Sequence, residues 1–416
     1  MARDRTLFLL TFTVTLGVAG FSLPSPILAP MLLDPTSQLL PASSSEWARQ
    51  VWLGVVMALY PLFQLLGAPW LGRLSDRHGR KPVMLLSLLG VAAGFALMGI
   101  GIAQESLILI LLSRVMEGWF NGNIAIAQAM VADQTQTGGK ARAFALLTAG
   151  MNLGWIIGPL LGGYGAELSG SYATPAWLAL GLTLFNFSLL LWGLPAQSAA
   201  SQQPLEQRNS ESLWRSNLAL LLLPRLLPYF VLTLLCYLAV QLYFTYFNLW
   251  LVQELNFSPV DLAYAAVWVS LPMMLGSWIS HRLAQHFRNS SLGIAGHLLM
   301  MVGMATFILP DTQLGLFWTF IPAGIGMTLG ELATSVVLSN RAPADRQGQV
   351  MGLYRSVSLG SELLVVALGS LLLLWGGAWV FIAAAVFALA GALGFAYLRL
   401  RRQSQALVIE TGEAAL

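Results

Sequence analysis

Five charged side chains lie inside long apolar stretches of this sequence: Arg114, Glu117, Glu331, Arg355 and Glu362. A charge within a lipid bilayer costs about 2.5 to 3.5 kcal/mol on insertion scales, so such residues face the protein interior or a water-filled cavity. A carboxylate in that setting can take up and release a proton, and a guanidinium can bind an anionic group or neutralise the carboxylate. These residue types indicate proton or solute movement across a membrane.

Helical spacing collects polar residues on two faces of these apolar stretches. At about 100° per residue, an arc of about 60° contains Arg114, Glu117, Asn121 and Gln128, and a similar arc contains Arg355, Ser358 and Glu362. Such faces predict a wet cavity. The proton-coupling candidates are therefore Glu117, Glu362 and Glu331. The alternative is that Arg114 and Glu117, three residues apart, form an ion pair that only neutralises charge.

Further polar, cationic and aromatic residues could line a substrate cavity. The candidates are Arg114, Asn121, Asn152, Trp155, Gln241, Asn248 and Arg355. Binding sites combine apolar and aromatic walls with a few polar groups, which these residues supply. The alternative for the aromatic members is a belt facing lipid at the membrane surface.

The composition is that of an integral helical membrane protein. Hydrophobic residues make up 57% of the 416 residues and charged residues only 9%. Alternating segments of about ten residues, as in a membrane β-barrel, do not occur, so helices must satisfy the backbone in lipid. Neither Lys81 nor Lys140 completes a phosphate-binding loop, and no Cys and His cluster suggests a metal. We therefore expect no enzyme, no cofactor and no metal site.

Twelve apolar stretches are long enough to cross a bilayer. The predicted spans are 6–33, 49–71, 82–103, 106–130, 141–165, 174–194, 225–253, 260–280, 290–309, 312–338, 347–374 and 377–398. A polar segment divides them, which predicts an N-terminal six-helix half at 1–198, a linker at 199–223, a C-terminal half at 224–400 and a tail at 401–416. The predicted fold is an all-α membrane protein with twelve transmembrane helices in two pseudo-symmetric halves around a central cavity.

The distribution of basic residues predicts the orientation. Of the 21 Lys and Arg residues, 18 fall on the side that carries both termini in this twelve-span arrangement. Cytoplasmic loops carry an excess of Lys and Arg, so both termini should be cytoplasmic. The net charge of +3 then reflects topology and does not indicate nucleic-acid binding.

A compact basic segment, residues 72–83, connects the second and third predicted spans. Gly72 and Gly79 can allow a tight turn, and Pro82 can begin the next helix. The acid Asp76 can accept hydrogen bonds from the N-terminus of another helix, which would make a latch that opens when that helix moves. The alternative is a simple positive anchor on the cytoplasmic side.

The fifth predicted span repeats glycine at every fourth position. Gly150, Gly154, Gly158 and Gly162 form a groove in which another helix can approach closely, and Pro159 can kink the span. Small-residue packing alone would account for this pattern.

Residues 53–165 resemble the drug:proton antiporter branch of the major facilitator superfamily, in particular tetracycline-type and multidrug efflux proteins. The resemblance rests on residues 72–83, on Ser113 to Gly118 around Arg114, and on Gly150 to Gly163. It implies a latch formed by Gly72, Asp76, Arg77, Gly79, Arg80 and Asp133, in which Asp76 meets span eleven and Arg77 pairs with Asp133. It also implies an antiporter helix motif formed by Gly154, Gly158, Pro159 and Gly162.

The sequence departs from tetracycline exporters in its first span. Those proteins carry an acid within the membrane there, whereas Leu16 to Gly20 contains none. A magnesium–tetracycline substrate should therefore not be assumed.

The sequence thus predicts a secondary transporter of a bacterial-type inner membrane that exports an organic small molecule by proton antiport. Its partners would be the small-molecule substrate, protons and the lipid bilayer, without nucleic acid, and a monomer would suffice. The alternative is import of a metabolite or iron chelate by proton symport or facilitated diffusion.

Overall fold

The computed structural model describes the backbone of residues 2–134, 140–194, 217–343 and 346–413. Side chains are described within these ranges except at 2–5, 76, 123, 132–134, 140–142, 144–145, 281, 348 and 402–413. Most of the predicted linker, up to residue 216, and the last residues of the predicted tail lie outside this description.

Long α-helices make up most of the described chain. In chain order they are α1 (Ala2–Ser22), α2 (Ser25–Leu33), α3 (Glu46–His78), α4 (Arg80–Ala103), α5 (Leu107–Phe120), α6 (Asn123–Gln134), α7 (Lys140–Ser169), α8 (Ala173–Gly193), α9 (Leu227–Leu255), α10 (Pro259–His286), α11 (Asn289–Thr306), α12 (Gln313–Ser339), α13 (Gln347–Leu372) and α14 (Ala378–Glu413). A short helical stretch at 217–221 precedes α9, and a 3₁₀ turn, Leu373–Trp375, follows α13. The prediction of an all-α membrane protein is confirmed.

Ten helical stretches of the described chain are long and apolar enough to cross a membrane. One of them combines α1 and α2, which are separated at Leu23 and Pro24. The two other predicted spans are α5 together with α6, which are each short, and α11, which has a polar first turn and carries His297. In lipid, every backbone polar group needs an internal partner, which explains why nearly all of the apolar sequence is helical.

Two local predictions are wrong. Gly72 does not form a turn, because it lies inside α3, which continues to His78. The position does not require glycine for packing either, since a Cβ there would meet no atom within 4 Å. The chain turns at Gly79 alone, whose φ of 92° favours glycine. The fourth span is not one continuous helix, because α5 ends at Phe120 and α6 begins at Asn123.

The described residues group into two compact units. Unit 1 comprises Met1–Leu205 and Phe247–Ser270, and unit 2 comprises Glu206–Tyr246 and Leu271–Leu416. The later part of α9 and the first part of α10 therefore pack with the N-terminal helices. The predicted domain boundaries at 198 and 224 remain a prediction, because residues 195–216 are not described.

Unit 1 is organised by five main helix pairings. Helix α1 packs against α7 and α8, α4 packs against α5 and α8, and α3 packs against α5. One apolar cluster of unit 1 includes Leu10, Leu71, Met84, Ile126 and Leu190. These residues come from α1, α3, α4, α6 and α8, and the cluster also contains residues of α7, so one core joins six helices.

Unit 2 is organised around α11, which packs against α12 and α14. Its apolar cluster includes Phe230, Leu292, Leu329, Val350 and Phe395. The ring of His297 is fully buried and its Nδ1 lies 2.8 Å from the Gly293 carbonyl oxygen.

The glycines of α7 lie directly against the backbone of α1. A Cβ at Gly154 would lie 2.7 Å from the Thr15 carbonyl oxygen, and a Cβ at Gly162 would overlap the Leu23 carbonyl oxygen. The Ser22 hydroxyl donates a hydrogen bond to the Gly154 carbonyl across this contact, at 3.2 Å. The spacing of four residues therefore produces close helix packing, in which no larger side chain fits.

We expect Gly154→Ala and Gly162→Ala to destabilise the protein by about 1 to 3 kcal/mol each, because the methyl group forces two helix backbones apart. The matched control is Gly181→Ala in α8, where a Cβ would meet no atom within 4 Å. That change should leave stability unchanged or raise it slightly. The measurement is the thermal unfolding midpoint in detergent. Equal midpoints for all three variants would contradict the close packing of α1 and α7.

Candidate functional site

Arg114 and Glu117 form a buried ion pair within α5. Arg114 Nη1 lies 2.5 Å from Glu117 Oε2, and the side chains are only 5% and 1% exposed. Both residues face the interior of unit 1, one helical turn apart. A pair this buried is strongly coupled, because each charge removes most of the penalty of burying the other.

Neighbouring helices enclose this pair. The Arg114 guanidinium carbon lies 4.9 Å from the centroid of the Tyr60 ring on α3, within the range of a cation–π interaction. On the other side, a Cβ at Gly94 of α4 would lie 2.6 Å from Glu117 Cγ. The Glu117 side chain therefore packs on the bare backbone of α4, and only glycine at position 94 leaves room for it.

Two polar atoms of these side chains take no part in the ion pair. Glu117 Oε1 and Arg114 Nε have no hydrogen-bond partner among the described residues. A small cavity of about 10 Å³ is lined by Glu117 together with Asn121, Thr183 and Tyr60. This volume is about that required for one water molecule. Glu117 can thus pair with Arg114 through one oxygen and contact a water or a proton donor through the other.

An aromatic cluster forms one wall of this cavity. Phe21 of α1 stacks on Tyr60 with ring centroids 4.4 Å apart and meets the edge of Trp155 of α7 at 5.6 Å. Trp155 is 43% exposed, whereas Tyr60 is 5% exposed. The cluster therefore extends from the buried ion pair to the surface of unit 1.

The break between α5 and α6 lies one turn after Glu117. The backbone N–H groups of Asn121 and Gly122 donate to the carbonyls of Gly118 and Phe120, so the helical hydrogen-bond pattern is interrupted there. Ser87 of α4 donates to the Phe120 carbonyl at 2.5 Å and accepts from the Gly122 N–H at 3.3 Å. An interrupted helix in a membrane is tolerated where such groups are satisfied by the protein or line a cavity.

Unit 2 contains a second charged cluster, formed by α9, α12 and α13. Glu331 of α12 is half-buried and interacts electrostatically with Arg355 of α13. The hydroxyls of Tyr237 and Tyr354 lie 3.1 Å apart beside it, and Tyr354 also donates to the Glu331 carbonyl at 3.5 Å. Each unit thus holds a glutamate, an arginine and at least one tyrosine together.

The remaining cavity candidates differ in their surroundings. Arg355 is exposed on unit 2 and donates to Ser358 at 3.5 Å. Glu362 lies about two turns after Arg355 on the same helix and is half-buried. Asn152 and Gln241 are half-buried in α7 and α9. These positions are compatible with the sequence prediction, and their proposed roles stay predictions.

Asn248 takes part in a set of contacts at one end of unit 1. Its side-chain amide donates to the Ser25 carbonyl at 3.0 Å and to the Ser25 hydroxyl at 3.3 Å. Nearby, Gln253 donates to Glu46 at 2.8 Å. The hydroxyls of Tyr164 and Tyr264 are also hydrogen-bonded to each other. These contacts join α2, α3 and α7 to the parts of α9 and α10 that belong to unit 1.

The turn at Gly79 places the basic segment close to the end of α8. Arg80 donates to the buried Ser75 hydroxyl at 3.3 Å, and Lys81 donates to the carbonyls of Leu191 and Leu194. Arg77 is exposed. The side chains of Asp76 and Asp133, the acids of the predicted latch, lie outside the described residues.

The tyrosines of both clusters were not identified from the sequence. Tyr60, Tyr237 and Tyr354 contact their partners from other helices, and helical periodicity carries no signal for contacts between helices. The only local signal was the position of Tyr354 directly before Arg355. Among the described residues, no group of three or more His, Cys, Asp or Glu side chains could hold a metal ion.

Comparison with known protein families decides the assignment. The model of the Major Facilitator Superfamily matches residues 7–365. The chain belongs to this superfamily. Members of this family are transporters, so the chain is a multi-pass membrane transporter rather than an enzyme. The resemblance inferred from residues 53–165 is confirmed at the level of the family and of its drug efflux relatives.

Bacterial resistance proteins are among the similar sequences. The tetracycline resistance protein of class C from Escherichia coli is 28% identical over 399 residues, covering 91% of this chain and 94% of that protein. The class B protein from Escherichia coli is 36% identical over 139 residues, which is 33% of each chain. The quinolone resistance protein NorA from Staphylococcus aureus (strain MSSA476) is 27% identical over 265 residues, covering 63% of this chain and 62% of that protein.

Solved transporter structures share the fold at low sequence identity. The human organic anion transporter MFSD10 has a TM-score of 0.68 and 20% identity, with 94% of this chain and 99% of that chain covered. The nucleoside transporter NupG (D323A mutant) has a TM-score of 0.75 and 14% identity, with 95% and 99% covered. At these identities the likeness concerns the fold alone.

We expect the charges of Arg114 and Glu117 to be energetically coupled. Arg114→Met and Glu117→Met should each destabilise the protein by about 3 to 5 kcal/mol, because each leaves the other buried charge without its partner. The double variant should cost much less than the sum, since it leaves neither charge behind. Thermal unfolding in detergent of the four proteins measures the coupling. Additive effects would show that the two side chains do not act as a pair.

Proposed function

We propose that this transporter exports an organic small molecule in exchange for protons. The observation that carries the proposal is the buried Glu117, which pairs with Arg114 through one oxygen and has its other oxygen without a hydrogen-bond partner among the described residues, where Glu117 helps to line a small cavity. This arrangement offers two states. In one, the ionised carboxylate is held by Arg114, and in the other, the neutral carboxyl holds a proton. The drug efflux proteins among its relatives support export as the direction.

In this proposal, Glu117 binds the proton and Arg114 favours its release. Burial favours the neutral carboxyl, whereas the neighbouring guanidinium favours the carboxylate. A helix movement that changes the distance between the two side chains would therefore change proton affinity. Glu331, which interacts electrostatically with Arg355, is the second candidate, and Glu362 is the third.

The substrate class is proposed from the relatives and from the aromatic wall. Relatives are named for resistance to tetracycline and to quinolones, which are fused-ring compounds that combine aromatic surface with polar groups. Phe21 and Trp155 offer ring surfaces to such compounds, and Arg355 offers an exposed guanidinium. A metal-bound tetracycline is not assumed, because the first span carries no acid.

Transport would proceed by alternating access of two six-helix halves, with the linker at 199–223 between them. In this proposal, the protein acts as a monomer in a bacterial-type inner membrane, with both termini in the cytoplasm. The contacts of Asn248 with Ser25 and of Gln253 with Glu46 join helices of the two predicted halves. They would have to separate in each cycle. The proposed latch around Gly79, with Asp76, Arg77 and Asp133, would act at the opposite end.

We expect proton flux that depends on Glu117 in liposomes containing the purified protein. With an imposed pH gradient and an internal pH dye, addition of a tetracycline or a quinolone should release protons in the direction opposite to substrate movement. Glu117→Gln should reduce this flux at least tenfold, because the amide binds no proton at neutral pH. The matched control is Glu167→Gln, which removes an exposed carboxylate at the end of α7.

Two results would contradict antiport, and a third would contradict the assignment of the proton to Glu117. Proton movement in the same direction as the substrate would indicate symport and therefore import. Transport without any response to the gradient would indicate facilitated diffusion. Unchanged coupling in Glu117→Gln, with coupling lost instead in Glu331→Gln or Glu362→Gln, would keep antiport but assign the proton to unit 2.

We also expect the contact between α2 and α9 to open during transport. In a Cys236→Ala background, which removes the single native cysteine, Ser25→Cys with Asn248→Cys places two thiols where a hydrogen bond now joins the side chains. Oxidation should link the two thiols and reduce substrate transport on the order of fivefold or more, because the two helices could no longer separate. Reduction should restore it, and each single cysteine variant should be insensitive to the oxidant. Full transport by the cross-linked protein would show that this contact does not move.

A further inference from the structure

A large cavity lies at one end of unit 2, and its lining contains neither Glu331 nor Arg355. It has a volume of about 610 Å³ and is bounded by residues of α9, α10, α11, α12 and α14. This volume is within the range of small-molecule sites. Under the proposed topology this end faces the cytoplasm, because it contains the connection from α10 to α11 and the end of α12.

Three arginines that line the cavity come from three separate segments of the chain. Arg288 precedes α11, Arg341 follows α12 and Arg399 belongs to α14. The described residues that line the cavity include no Asp or Glu. Arg399 donates to the Ser291 hydroxyl at 3.2 Å, and Arg341 lies 5.5 Å from the centre of the Tyr229 ring. Neither of these partners neutralises a positive charge, so the described lining of the cavity is cationic.

The first turn of α11 adds to the positive potential. Arg288 is the residue before this helix and provides no side-chain cap, and the next two residues, Asn289 and Ser290, also line the cavity. The first N–H groups of a helix have no partner within the helix and carry partial positive charge. Phosphate and carboxylate groups bind readily where such groups and arginines meet.

Apart from Asn340, the remaining walls of the cavity are apolar. Tyr229, Val337 and Phe395 are all less than 10% exposed and form its inner surface. Phe287 lines the cavity and is 56% exposed, and Leu400, directly after Arg399, is 62% exposed. The cationic site is thus continuous with an apolar outer surface of the kind that contacts lipid. A free inorganic anion would gain nothing from these apolar walls, whereas an anion attached to an acyl chain would.

We propose that this cavity binds the phosphate headgroup of an anionic membrane phospholipid, held by Arg288, Arg341 and Arg399 while its glycerol and acyl groups pack on the apolar walls. Clusters of arginine and lysine at the cytoplasmic side of membrane helices attract anionic headgroups at about 1 kcal/mol per charge. One lipid bound here would join the ends of α11, α12 and α14. This site is independent of the proposed transport mechanism and contains none of its candidate residues.

The test uses the full-length protein, purified in detergent and depleted of lipid. Phosphatidylglycerol is titrated and its binding is measured by native mass spectrometry, with phosphatidylcholine and inorganic phosphate as separate probes. We expect one tightly held phosphatidylglycerol. Each of Arg288→Gln, Arg341→Gln and Arg399→Gln should weaken binding about fivefold, and the triple variant on the order of a hundredfold. The matched control is Arg282→Gln, which removes an exposed arginine near the same end that does not line the cavity.

Several outcomes would overturn the proposal. Equal binding of phosphatidylglycerol by the wild type and the three single variants would place the lipid elsewhere. Equal binding of phosphatidylglycerol and phosphatidylcholine would show that net anionic charge does not determine recognition. Inorganic phosphate that binds with the same dependence on the arginines, without retention of the lipid, would assign the site to a soluble anion. The single variants keep the test valid if the triple variant does not fold.

Discussion

The buried pair of Arg114 and Glu117 is the interaction on which the candidate site of unit 1 depends. Inside a membrane protein, each of these buried charges requires the opposite charge as a partner, and both require surrounding protein that keeps lipid away from them. Tyr60 covers the guanidinium, and the bare backbone at Gly94 accommodates the glutamate. The packing of α3, α4 and α5 can therefore be understood as the enclosure of one ion pair.

Close helix packing makes this enclosure possible. The glycines of α7 bring its backbone against α1, which places Phe21 between Tyr60 and Trp155. Without a hydrophobic driving force between helices in lipid, such contacts depend on van der Waals fit and on hydrogen bonds such as that from Ser22 to Gly154. The glycine spacing thus has a structural role that is independent of any role in antiport.

The sequence predicted the class of fold and most of the spans, because hydropathy alone determines which stretches can lie in lipid. It predicted helix ends less well, since helices such as α3 continue beyond the apolar stretch and basic residues are good helix formers. It also missed the interruption at Asn121 and Gly122, although asparagine followed by glycine is a common turn signal. The charged members of both clusters were predicted because charge is conspicuous in an apolar sequence. Their tyrosine partners were not, because they come from other helices.

The size of the cavity beside Glu117 bears on how proton and substrate could be coupled. At about 10 Å³ it has room for roughly one water molecule and not for a drug-sized compound. In the proposed antiporter, Glu117 therefore exchanges its proton without touching the substrate in this conformation. Proton binding and substrate binding would then be coupled by a helix movement. The interruption between α5 and α6 beside Asn121 is suited to this role, because its backbone groups are hydrogen-bonded to Ser87 of α4. A shift of α4 against α5 would alter both the helix break and the space around Glu117, since Gly94 and Ser87 lie on the same helix. The proposed proton site at Glu117 and the helix break that would respond to its protonation thus both lie at the interface between α4 and α5.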